Sequence, residues 1–149
     1  MEKTHIPMND EYVTLLGQAV YSFVYYEWTI ISIIDYLNKG FVQQHYRENS
    51  PFTKHDIEEG FANINIENDS RIQKCKHDFD ELREERNALI HSHPCTSNNG
   101  EQVLNYQSST EKKFHDFFWG TAKIKDFINK VDKAVIEASQ LLDSYRKMR

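Results

Sequence analysis

The stretch SRIQKCKHDFDELREERNALIHSH, running from Ser70 to His93, decides the fold. Ile72, Cys75, Phe79, Leu82, Arg86, Leu89 and His93 follow one another in alternating steps of 3 and 4 residues, the seam of a core-facing helix. Arg86 stands on that seam where an apolar side chain is expected. A guanidinium there needs a partner charge, a water-filled cleft or a ligand, because burying it unpaired is very costly. Asn87 and His91 lie one turn apart and share the neighbouring face. A cation, an amide and an imidazole thus converge at one edge of the core, as a site or a polar interface.

Upstream, Asp10 to Leu37 repeats the pattern through Tyr12, Leu16, Ala19, Phe23, Tyr26, Ile30, Ile33 and Leu37. Asn9 or Asp10 caps this first helix, and Asn38-Lys39-Gly40 stops it. Val20, Val24, Ile31 and Ile34 add a second apolar face, so the helix is either central in its bundle or buried against another subunit. A shorter helix is expected from near Thr53 to about Asn63, weakened by Gly60. The third begins at Asp69 or Ser70 and reaches about His93, where Pro94 ends it. Asn98-Asn99-Gly100 signals a turn, and Val103, Leu104 and Tyr106 after it predict a small hairpin or ordered loop. A fourth helix is expected from the cap Thr110 to about Met148, its seam starting at Phe114 and Phe117, with a bend near Gly120. The expected fold is all-α, a single domain over residues 1–149. Its architecture is an antiparallel up-and-down bundle of four main helices, with a possible short fifth and the hairpin after the third.

Composition agrees with this. The 149 residues suffice for one domain with a proper core, and 39% hydrophobic and 13% aromatic content excludes a disordered chain. Five glycines and three prolines favour long helices over a turn-rich sheet. A net charge of -5 argues against a basic nucleic-acid binder, although a small cleft handling one phosphodiester remains compatible with it. The cysteines, Cys75 and Cys95, form no disulfide framework, and Cys75 sits on the apolar seam, which reads as a reduced, cytoplasmic chain. Met1 to Pro7 lacks the apolar run of a signal peptide, and Trp28 to Ile34 is too short to span a bilayer, so no membrane association is expected.

Arg86, Asn87 and His91 resemble the signature of the HEPN superfamily (higher eukaryotes and prokaryotes nucleotide-binding domains), an Arg followed by a polar residue and then a His after four to six positions. The position of the motif, at the end of a third helix in an all-helical chain, strengthens the likeness. The resemblance implies a helical bundle in which two protomers face their motifs into one shared cleft and cut single-stranded RNA without a metal. It assigns Arg86 to the phosphate, His91 to acid–base work and Asn87 to orientation, and implies a toxin or defence effector. In toxins paired with a nucleotidyltransferase antitoxin the motif continues His-x-Tyr and the tyrosine receives the nucleotide; here His93 stands at that place. The alternative implied by the family is a catalytically silent module that binds a partner protein or nucleotide.

Three further residues are candidates for support. His93 is a second acid–base group or a cation favoured by the helix C-terminus. Glu27 interrupts the apolar first helix and is a candidate partner for Arg86. Glu84 lies one turn before Asn87, although Glu81, Glu84 and Glu85 together read as a solvated face. His91, His93 and Cys95, with Cys75 or His77, contain zinc-ligand types but no second paired cluster, so neither a metal nor another cofactor is expected.

Overall fold

The structure, a computed structural model, describes residues 5–48, 52–64, 69–109, 111 and 113–148. The described chain is mainly helical, with α1 (Asp10–Leu37), α2 (Phe41–Glu48), α3 (Lys54–Ala62), α4 (Ser70–Ile90) and α5 (Thr121–Lys147). Between α4 and α5 lies a small antiparallel sheet in the order β1 (His93–Thr96), β2 (Gln102–Tyr106), β3 (Phe117–Trp119). This sheet corrects the expectation of an all-α chain. The anticipated hairpin is β1–β2, turned by Gly100 at φ 83°; its third strand was not anticipated.

Local chemistry explains the helix ends. Asn9 caps α1, its Oδ1 accepting the Tyr12 N–H at 3.0 Å. Gly40, at φ 92°, takes the left-handed conformation after the end of α1. Thr53 and Asp56 close a reciprocal capping box over α3. The short α2 is a fifth helix, at a place the sequence did not mark.

Two boundaries differ from expectation. α4 ends at Ile90, so His93 belongs to β1 and leaves the helical seam. α5 starts at Thr121, and Phe114 and Phe117 precede it; the expected cap Thr110 lies outside the described residues. Phe117, Phe118 and Trp119 have strong strand preference and pair with Tyr106, Asn105 and Leu104. Gly120 then separates strand from helix, so no helix passes through the position where a bend was expected.

The chain divides into two compact units. The first comprises residues 1–23 and 81–131. Its core is Phe23, Leu82, Leu89, Trp119, Ile124 and Phe127, with Phe127 6.4 Å from Phe23 and 6.1 Å from Trp119 between ring centroids. Here Tyr12 of α1 ties the sheet together: its hydroxyl accepts the Leu104 N–H at 2.9 Å and donates to the Trp119 carbonyl at 2.5 Å.

The second unit comprises residues 24–80 and 132–149. Its core includes Tyr26, Ile30, Ile33, Ile34 and Phe79, with Tyr26 edge-on to Phe79 at 5.5 Å. α3 approaches α1 closely because Gly60 has no side chain; a Cβ there would lie 2.8 Å from Ile34 Cγ2. Tyr26, Cys75, Ala138 and Leu141 line a cavity of about 390 Å³, and Lys74, bonded to Asp78 and Glu137, stands at its wall. Burial pushes the Cys75 thiol up to about 12.

The second apolar face expected on α1 is divided. Ile31 and Ile34 are buried, whereas Val20 and Val24 are exposed. With Val13, Tyr21, Tyr25 and Trp28 they form a large uncovered stripe along the helix. Among the described residues no helix is long and apolar enough to cross a membrane.

Candidate active site at the end of α4

The last turn of α4 sets the geometry of the motif. The His91 N–H bonds the Asn87 carbonyl at 3.0 Å, the helical i to i+4 pattern, although His91 is already past the last helical residue. Ser92 then closes the end, its Oγ donating to the Ala88 carbonyl at 2.6 Å and its N–H to the Leu89 carbonyl at 3.2 Å. Three terminal carbonyls are satisfied within the chain, and His91 is held one turn beyond Asn87.

Arg86 is half-buried and its guanidinium lies over the Phe23 ring, 4.8 Å from the centroid. Stacking of this kind uses the face of the guanidinium, while its hydrogen bonds run from the edge. The seam position therefore suits arginine: its guanidinium stacks on a buried ring and its Nε is itself buried. Asn87 is half-buried and His91 exposed. His93 is exposed on β1 and its Nδ1 lies 3.2 Å from the Pro94 carbonyl, which makes Nδ1 the donor and Nε2 the acceptor of the neutral ring.

Of the other candidates, Glu84 is exposed and Glu27 is half-buried on α1. The solvated face expected for Glu81, Glu84 and Glu85 holds for the first two only. Glu85 is largely buried against Lys130 of α5, with Nζ 3.5 Å from Oε1, and burial raises its carboxyl above the usual range while Lys130 opposes that shift. Among the described residues no group of three or more His, Cys, Asp or Glu side chains is arranged to hold a metal.

Two residues beside the motif escaped the sequence. Asn105 on β2 pairs with His93 and is only 2% exposed; its Nδ2 donates to Asp116 Oδ1 at 3.2 Å, while its Oδ1 is buried without a hydrogen bond. Asp116 holds φ at 48°, uncommon outside glycine, just before β3. The available signal was an asparagine two residues beyond Val103 in an alternating strand, on the face that Val103 buries. No protein-family model, curated protein or solved structure matches the chain.

Proposed function

We propose that this chain is a metal-independent endoribonuclease of HEPN type, a cytoplasmic toxin or defence effector that cuts single-stranded RNA as a homodimer. The observation that carries the reading is the Arg86 guanidinium held on the Phe23 ring, with the exposed imidazole of His91 just past the end of the same helix. The up-and-down helical bundle of that family is the architecture this reading assumes, with the sheet as an addition between α4 and α5.

The chemistry follows from these side chains. The His91 imidazole takes the proton from a ribose 2′-OH, the acid–base work for which this side chain type is most often used. The 2′-oxygen forms a bond to the adjacent phosphorus, the bond from phosphorus to the 5′-oxygen breaks, and the leaving oxygen is protonated by an imidazolium. Arg86 offers a permanently charged planar fork to the phosphate oxygens, where negative charge builds. Asn87 orients the substrate. The products are a 2′,3′-cyclic phosphate and a 5′-OH. A single motif at a helix edge excludes little water; the uncovered stripe on α1 supports a second copy that closes the cleft about a two-fold axis. An antitoxin or nucleotidyltransferase is the partner class this reading implies, with His93 in place of the modified tyrosine.

The test is cleavage of single-stranded RNA in EDTA with end-group analysis of the products. His91→Ala is expected to lower kcat by roughly 10²–10⁴-fold. Arg86→Lys, which keeps the charge but loses the fork, is expected to lose most of the activity while remaining folded. Undiminished cleavage by both variants would overturn the assignment.

A further inference from the structure

The three strands place a set of side chains on one face of the sheet. His93 pairs with Asn105 and Asn105 with Phe118, so the three form a row across it. Val103, two residues before Asn105, shares that face. His93 lies two residues after His91, at most ~7 Å along the chain, and β3 is about 10 Å from β1 at the usual strand spacing. His93 and Phe118 are exposed at the two ends of the row, and Asn105 between them is buried.

At its far side is a hollow of about 390 Å³. Buried Val103 forms the floor, Phe118 is 42% exposed at the wall, and Asn98, Glu101 and Lys123 stand around it. The composition is specific in kind. The aromatic ring has an open surface, the floor is apolar, and the remaining groups supply amide, carboxylate and ammonium. Lys123 belongs to the first turn of α5, which contains no acidic residue. A cation there is disfavoured by the helix dipole, and its Nζ lies over the Phe117 ring, 5.3 Å from the centroid.

We infer that this hollow binds one nucleobase of the single-stranded RNA whose backbone is cut at Arg86 and His91. The inference rests on the ribonuclease reading for its choice of ligand. The base stacks on Phe118 above Val103, an arrangement that accepts any π-face. Asn98 and Glu101 offer an amide and an acceptor to its polar edge, the carboxylate favouring a base with an exocyclic amino group. Lys123 takes an adjoining phosphate. The short span from His91 falls within the roughly 4–16 nucleotides that single-strand grooves accommodate. Such a subsite supplies binding and register to a chain whose net charge of -5 attracts little RNA by itself.

The experiment uses the full chain and a fluorescein-labelled 2′-O-methyl octacytidine, which cannot be cut by 2′-OH attack, together with cleavage kinetics on the corresponding RNA. Phe118→Ala is expected to weaken octamer binding roughly tenfold and to raise KM by a similar factor with kcat little changed; Phe118→Tyr should restore both. Lys123→Ala should reduce the slope of log affinity against log salt by about 1. Wild-type affinity and KM in Phe118→Ala would overturn the subsite and leave the ribonuclease standing, as would a role for Phe118 only in protein contacts. Binding that depends on Phe118 in a wild-type chain that cuts no RNA would uphold the hollow and overturn the ribonuclease reading.

Discussion

Glu85 adjoins Arg86 in the chain, and its burial has a consequence for pH. Its carboxyl is raised above the usual glutamate range, chiefly by burial, against the pull of Lys130 at 3.5 Å. The unfolded chain therefore surrenders this proton before the folded one does. The stability Glu85 contributes is complete below the ordinary glutamate pKa and is lost as pH rises through the folded value. Glu85→Gln keeps the shape of the protonated acid and removes the titration, while Lys130 keeps Asp126 at 3.3 Å. Thermal melts should show a midpoint at neutral pH raised by roughly 2–4 °C, with a flatter decline from about pH 4 upward. An unchanged slope would show that the buried carboxyl is ionised at no cost to the fold.

At the scale of elements, the sheet depends on a helix. The Tyr12 hydroxyl bonds the Leu104 N–H and the Trp119 carbonyl, partners in the β2–β3 register. Removing it leaves a donor and an acceptor in a half-buried place, so Tyr12→Phe should cost about 1–3 kcal/mol in urea denaturation. Unchanged stability would mean that the strands close on one another directly. The same elements show what the sequence could reveal. α1 was legible because a long apolar periodicity followed the capping residue Asn9, and the short α3 because its start was marked near Thr53. The start of α5 was not, because Phe114 and Phe117 fall on heptad positions by spacing while Phe117 is claimed by Tyr106, a strand neighbour that no local pattern announces. In the site, Arg86, Asn87 and His91 stood out as polar groups at the edge of a seam. Phe23 beneath Arg86 and Lys130 beside Glu85 did not, since both pairings join residues more than forty positions apart.

For the whole molecule, the stripe on α1 is a run of apolar surface that a lone chain rarely exposes. Val20 and Val24 are 45% and 58% exposed and Tyr21 73%, all along one helix. The proposed homodimer would pair two copies through this stripe, taking it out of water. Light scattering of the wild type at micromolar concentration should give a dimer. Val20→Glu with Val24→Glu should give a monomer with unchanged helical circular dichroism and at least tenfold less RNA cleavage, because exposed positions tolerate the change within the protomer. A monomeric wild type with full cleavage would refute the shared cleft.

The thiol of Cys75 carries a different implication. Pushed up to about 12 by burial, it stays a neutral thiol at neutral pH. The thiolate, not the thiol, is the nucleophile toward peroxides and electrophiles. The sulfur in the cavity wall of the second unit is therefore a packing atom of low reactivity, and alkylation of the folded chain should reach it more slowly than it reaches an unburied thiol.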